Sequence, residues 1–280
     1  MERTTGRPEV TIGLIDGPVL MSHPDLAGRS MREVAGKLGG TCSRASSVAC
    51  MHGTFVAGML MARPGSASPG ICPGCTLLVR PIFAENGARG GDPMPSATPE
   101  ELATAIIETV NAGARVLNLS SALENPSAKG KRDIEAALNF AAHRGVISVA
   151  AAGNQGTVGS SAITRHPWVI PVAACDLQGR PTGETNLGNT IGRQGLSAPG
   201  EGVTGLGTNG QPRSLGGTSA AAPFVTGAIA LLWSEFPNAS AAQVRLAITQ
   251  AERRRQGTII PPVLDAWAAH QTLAAMTGRN

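Results

Sequence analysis

The chain has no tyrosine, and only 3% of its 280 residues are aromatic. Recognition by stacking nucleobases on aromatic rings is therefore largely closed to it. Charge is sparse as well: 15% of residues are charged, the formal net charge is +4, and the basic residues are scattered except at Arg253-Arg254-Arg255. That triplet reads as a solvated helix end or turn rather than a phosphate-binding patch, so no nucleic-acid partner is expected. Long apolar runs are missing too. VISVAAAG and PFVTGAIALLW are too short, or too broken by Gly and Pro, to cross a bilayer, and MERTTGRPEV lacks the apolar core of a signal peptide. A cytoplasmic protein without membrane contact is the expectation.

What is present is ordinary globular material, 42% hydrophobic with 36 Gly and 20 Pro, enough for one large core and read as a single domain over 1–280. Cysteine is less ordinary. Cys42, Cys50, Cys72 and Cys75 fall within 34 positions and leave three readings open: loop-stapling disulfides, a zinc site, or plain thiols, the last favoured by a reducing cytosol. Cys72-Pro73-Gly74-Cys75 precedes the strand-like TLLVRPIF instead of opening a helix, which argues against a thioredoxin-like redox motif. Cys175, in VIPVAAC, reads as a buried free thiol.

Five nearly continuous apolar runs read as strands covered on both faces: VTIGLI (10–15), TLLVRPIF (76–83), RVLNLS (115–120), VISVAAAG (146–153) and WVIPVAAC (168–175). Helical segments lie between them. In TPEELATAIIETVNAG, Thr98 is the N-cap, Pro99 takes the first helical position, Glu101 closes a capping box and Gly113 stops the helix. Asp133 to Arg144 reads as another helix, Ser240 and Gln243 open a third with a second capping box, and a last helix is expected over about 263–276. PGSASPG and NGARGGDPMPSATP read as exposed loops. The alternation implies an α/β fold with a mostly parallel central sheet, helices on both faces and right-handed crossovers. Functional groups in such sheets gather at the carboxyl ends of the strands. Asp16 ends the first strand, Ser120-Ser121 the third, and Asn154 follows the fourth.

In LGGTSAAAPFVTGAIALL, Ser219 follows two glycines and Thr218 at the head of an apolar helix. Alone, that is what a helix cap looks like. An acyl-transfer reading needs a base, a carboxylate to orient it and donors for an oxyanion. His52 opens HGTFVAGML, where Gly53, Ala57 and Gly58 allow close helix packing. His23, His143, His166 and His270 sit beside prolines or on exposed helix faces and read as structural or solvated. Asp16, buried at a strand end, would be costly without a partner such as an imidazole N–H. Its bland reading is a turn residue before Gly17-Pro18, and that of Asn154 a left-handed turn residue after Gly153.

Taken together, LIDGPVLMSHPDL, HGTFVAG, AAAGN and GTSAAAPFVTGAIALL occur in the order Asp, His, Asn, Ser, which is the subtilisin order of the triad. The sequence resembles the subtilisin-like serine proteases (peptidase S8) over about residues 10–250. Within that family its IDGPV phrase and compact loops are most similar to the proteases of cyanobactin-like peptide maturation. The resemblance implies that Ser219 is the nucleophile, His52 the general base and acid, and Asp16 the orienting carboxylate. It assigns the oxyanion to Asn154 and the Ser219 N–H. It further implies that an extended peptide is bound along Ser120-Ser121-Ala122 and Ala151-Ala152-Gly153. Departures from the family's usual residues are Ala220 for Met and Phe224 for His, changes of packing rather than chemistry, and Phe55 where a second His is common in the His motif. ARPGSASPG lacks the Asn-rich insertion that binds calcium in secreted relatives, leaving Asp25 alone, so neither a metal nor a cofactor is expected.

The implied partner is a peptide or precursor-peptide substrate. Two variants of the reading remain, a macrocyclase and a catalytically silent peptide binder. The full Asp16, His52, Asn154 and Ser219 set argues against silence. The 35 residues between Asp16 and His52, rich in Gly, Ser and Cys, leave little room for a macrocyclase's helical lid. A nucleotide-binding domain would need GxGxxG after the first strand, and DGPVLM offers none.

Overall fold

The computed structural model describes residues 3–85, 97–120, 127–250 and 258–278. Its strands are β1 (Thr11–Asp16), β2 (Met31–Glu33), β3 (Thr76–Pro81), β4 (Val116–Leu119), β5 (Ile147–Ala151), β6 (Val169–Cys175), β7 (Leu196–Pro199), β8 (Val203–Leu206) and β9 (Pro212–Leu215). Its helices are α1 (Val48–Met61), α2 (Pro99–Asn111), α3 (Ala128–His143), α4 (Asn189–Gln194), α5 (Thr218–Glu235), α6 (Ala241–Gln250) and α7 (Ala266–Thr277). Seven strands form one parallel sheet in the order β2-β3-β1-β4-β5-β6-β7, and β8 pairs with β9 in an antiparallel hairpin.

All five strands expected from apolar runs are present, because every residue of β1, β3, β4, β5 and β6 is buried. Side chains alternate between two cores. Leu77 and Val79 point into one with Phe55 and Val56 of α1, Val225 and Ile229 of α5, and Leu273 of α7. Leu78 points into the other with Leu102 and Ile106 of α2 and Ile134 and Leu138 of α3. That alternation is the strand period of two, and it gives the sheet a helical layer on each side.

Local signals explain most helix ends. The Thr98 hydroxyl accepts from the Glu101 N–H while the Glu101 carboxylate accepts from the Thr98 N–H, and Gly113 adopts φ +97° after the last turn. Ser240 and Gln243 form the second box in the same reciprocal way. α3 starts five residues before the expected Asp133, at Ala128, because the Ser127 hydroxyl caps it by accepting from the Gly130 N–H at 3.1 Å. Much of the loop 84–97, and the Arg253-Arg254-Arg255 triplet, lie outside the described residues.

The open cysteine readings divide between the two pairs. Cys42 and Cys50 are joined in a disulfide that ties the loop before α1 to its first turn, while Cys72, Cys75 and Cys175 are buried thiols. Hydrogen bonding to Cys75 and burial push the Cys72 thiol well above its ordinary range, and Cys72 in turn draws Cys75 below it. Among the described residues, the one cluster of possible metal ligands is Cys42, Cys50 and Glu85, and both of its sulfurs are consumed by the disulfide. Asp25 is not alone: Arg63 Nε donates to its Oδ1 at 2.6 Å and the Ser66 hydroxyl to its Oδ2 at 2.8 Å, so a guanidinium compensates the carboxylate. No described helix is long and apolar enough to cross a membrane.

Candidate active site

Strand register collects the polar residues. Ile15 pairs with Leu119, and Leu119 with Ala150, so Asp16, Ser120 and Ala151 form the next row along the carboxyl edge of three adjacent strands. α1 then lies directly on the exit of β1. A Cβ on Gly17 would collide with the Ala49 carbonyl, and one on Gly53 with the Gly17 carbonyl, so the two glycines permit this approach. The Ser47 hydroxyl caps α1 through the Cys50 N–H, and the helix carries His52 to Asp16.

The contact is short. His52 Nδ1 lies 2.7 Å from Asp16 Oδ1, with the carboxylate side chain fully buried and the imidazole 14% exposed. The Gly17 N–H donates to the same Oδ1 at 2.6 Å, and Oδ2 is buried without a hydrogen-bond partner. With Asp16 ionised, Nδ1 carries the proton, and Nε2 keeps its lone pair for the cleft. Burial opposes charging of His52, but the negative charge of Asp16 and its hydrogen bond outweigh it and hold the imidazole above its ordinary pKa.

Ser219 is the second residue of α5, half-buried, and its hydroxyl donates to the Ser120 carbonyl at 3.2 Å. Its N–H belongs to the first turn, where backbone donors have no intrahelical acceptor and the helix dipole favours negative charge. Asn154 is set against this helix head. Its Oδ1 accepts from the Thr218 N–H at 2.8 Å and the Thr218 hydroxyl at 3.0 Å, which leaves Nδ2 as the free donating end. Gly217, at φ +91°, makes the fit possible, because a Cβ there would lie 2.8 Å from Nδ2.

Two supporting residues escaped the sequence reading. The Thr218 hydroxyl also accepts from the buried Gly153 N–H at 3.1 Å, so one side chain couples the loop after β5 to the head of α5. It was visible as half of a Thr-Ser pair, but nothing in the sequence paired it with Asn154. Asn186 fastens the same loop: Oδ1 accepts from the Gln155 and Thr157 N–H groups, and Nδ2 donates to the Ala152 carbonyl. Thr218→Val is expected to leave the Gly153 N–H unpaired, costing about 1–3 kcal/mol. Thermal unfolding should report a Tm about 2–10 °C lower.

Ala151, Ala152 and Gly153 are buried at and just beyond the end of β5, which pairs with β4. The Ala152 N–H donates to the Val172 carbonyl and the Gly153 N–H to Thr218, so both donors serve the fold. Ser120 is buried just past the end of β4. Ser121 and Ala122 lie outside the described residues. The other histidines stand apart from this cluster. His23 Nδ1 accepts from the Asp25 N–H, His166 Nε2 bonds Asn139, His270 stacks on Trp267, and His143 sits in the last turn of α3.

A parallel sheet with an Asp–His pair and a helix-head serine at its carboxyl edge defines a subtilisin-like α/β protein. The model of the subtilase family (peptidase S8) matches residues 7–262, and the chain belongs to that family. It is similar to the thermostable alkaline protease of Halalkalibacterium halodurans, 31% identical over 237 residues, 82% of this chain and 59% of the relative. The chain thus spans about three-fifths of that curated relative. A mutant of the protease domain of PatA is 29% identical, with 99% of each chain covered and a TM-score of 0.88. The prenylagaramide maturation protease PagA is 27% identical, with 97% of this chain and 96% of that chain covered and a TM-score of 0.83. The expected likeness to peptide-maturation proteases is borne out at the level of fold and sequence.

Proposed function

We propose that the protein is a serine endopeptidase that hydrolyses a precursor peptide through an acyl-enzyme. The observation that carries this reading is the 2.7 Å hydrogen bond that His52 Nδ1 makes to the buried Asp16 carboxylate. It fixes the imidazole tautomer that can take a proton at Nε2. Ser219 Oγ attacks the scissile carbonyl carbon as its proton passes to His52 Nε2. Asn154 Nδ2 and the Ser219 N–H hold the resulting oxyanion. Collapse breaks the C–N bond, His52 returns the proton to the leaving amine, and the acyl ester remains on Ser219. A water then attacks the ester carbon as its proton passes to His52, and collapse breaks the bond to Ser219 Oγ, which takes that proton back as the carboxylic acid leaves.

Peptide maturation as the setting rests on the likeness to PatA and PagA over nearly the whole chain. The acyl half of the substrate is assigned to the strand ends at Ser120 and Ala151-Ala152-Gly153. Hydrolysis is favoured over cyclisation by the connection from Asp16 to His52. It holds the short β2, turns and the Cys42–Cys50 staple, with no helix before α1.

Digestion of a peptide library in ¹⁸O-labelled water tests the reaction class. One ¹⁸O atom from solvent is expected in each new carboxyl terminus at first turnover. Products joined through an amide, without the label, would replace hydrolysis by transpeptidation. Asn154→Ala should lower kcat by about a hundred- to a thousandfold with little change in KM, because its amide acts on charge that develops after binding.

A further inference from the structure

Two residues that the proposed chemistry leaves unused tie the helix of the nucleophile to the sheet from inside the core. Asn118 of β4 stands in register with Leu14 of β1 and Val149 of β5, and the row continues to Val79 of β3 and Ile170 of β6. Those four apolar side chains are fully buried in the core that α5 covers, and Asn118 is fully buried among them. An amide in such a row is costly unless both of its ends are paired. They are. Thr226 of α5, itself fully buried, donates its hydroxyl to Asn118 Oδ1 at 2.8 Å, and Asn118 Nδ2 donates to Ser120 Oγ at 3.0 Å.

The periods of the two elements connect this pair to the reacting serine. Thr226 follows Ser219 by seven residues, about two helical turns, so both project from one stripe of α5. Asn118 and Ser120 are two residues apart at the end of β4 and share a face. The helix therefore meets the strand twice, through Thr226 at Asn118 and through the Ser219 hydroxyl at the Ser120 carbonyl, 3.2 Å away. Between the two contacts α5 is weakened. Pro223 has no N–H to give to the Ser219 carbonyl, so the first turn is held to the rest of the helix by one bond fewer.

Stability alone does not call for a polar pair here. Replacing both partners of a buried hydrogen bond by apolar groups of similar shape can be nearly neutral, whereas removing one leaves the other unpaired. An apolar pair would lack direction: packed methyl groups tolerate sliding and rotation of the helix that a hydrogen bond does not.

We propose that Thr226 and Asn118 are positioning residues whose hydrogen bond sets α5 against the end of β4 and so aims Ser219 Oγ and the Ser219 N–H at the reacting carbonyl. The inference rests on the endopeptidase reading of the site. Both residues are fully buried and act through Ser219 and Ser120 rather than on the substrate. Misplacement of a reacting group by about 1 Å can cost a hundredfold in rate, so a loss of about ten- to a hundredfold in kcat is expected when the bond is broken.

The test compares wild type, Thr226→Val, Thr226→Ser and the double variant Asn118→Leu/Thr226→Val by turnover of a cleaved peptide, by the rate of fluorophosphonate labelling and by thermal melts. Thr226→Val leaves Asn118 Oδ1 unpaired and should lower Tm by about 2–10 °C, with kcat and the labelling rate falling together. Thr226→Ser keeps the hydroxyl and should react like wild type. The double variant should recover most of the lost Tm yet stay as slow as Thr226→Val, a separation that a purely structural role does not produce. A Thr226→Val or double variant that labels and turns over at the wild-type rate overturns the positioning role and leaves the endopeptidase standing. So does a rate that recovers together with Tm in the double variant, or a Thr226→Ser protein as slow as Thr226→Val. Measured where both are folded, the Val and Ser variants decide the matter even if the double variant does not fold. Neither labelling nor cleavage by folded wild type overturns the endopeptidase reading and the positioning role with it.

Discussion

Replacing Ser219 by alanine is expected to reduce kcat by on the order of a millionfold, the scale found when the nucleophile is removed from a subtilisin triad. The loss is large because the covalent path disappears altogether, while Asn154 and the helix-head N–H groups retain only their share of transition-state stabilisation. Stability should hardly move. The hydroxyl makes one 3.2 Å bond to the Ser120 carbonyl from a half-buried position, worth no more than about 1 kcal/mol. Progress curves against any cleaved peptide, set beside thermal melts, separate the two effects. A Ser219→Ala protein that melts like wild type and keeps more than a percent of its turnover would remove Ser219 from the mechanism.

Asp16→Asn should cost about ten-thousandfold in kcat, because an amide facing Nδ1 no longer fixes the productive tautomer. Its pH signature is as informative as its size. In wild type, burial of His52 is outweighed by the Asp16 charge and hydrogen bond, so its pKa lies above the ordinary imidazole value. Since only neutral His52 can accept the serine proton, activity should rise with pH through that elevated pKa. Removing the carboxylate leaves burial as the main influence and moves the acid limb of kcat/KM to lower pH. A limb that stays in place, or moves upward, would show that Asp16 does not set the charge of His52.

The sequence made the buried sheet legible and the exposed edges obscure. β1, β3, β4, β5 and β6 are continuous apolar runs because helices cover both faces, and that pattern survives without knowledge of the fold. β2 has only three residues, Met31-Arg32-Glu33, two of them exposed, and β7 is the four-residue Leu196–Pro199. The hairpin strands Val203–Leu206 and Pro212–Leu215 are four residues each and partly exposed, so no continuous apolar run marks them. Asp16, His52, Asn154 and Ser219 stood out through motif order. Their supports did not, since Thr218 and Asn186 act across separations of 64 and 34 residues that local pattern does not encode. Cysteine pairing was hidden for a similar reason. Cys42 lies in the loop before α1 and Cys50 in its first turn, eight residues on, while the Cys75 N–H donates to the Cys72 carbonyl in a buried turn.

The central claim is that the serine at the head of α5 is activated by the Asp16–His52 pair. Its most direct test is the intact mass of the protein after treatment with a fluorophosphonate, which reacts with an activated serine whatever the natural substrate. One adduct on wild type, mapped to Ser219 and absent from a folded Ser219→Ala control, is the predicted result. No adduct on folded wild type, or the same adduct on the control, would contradict it.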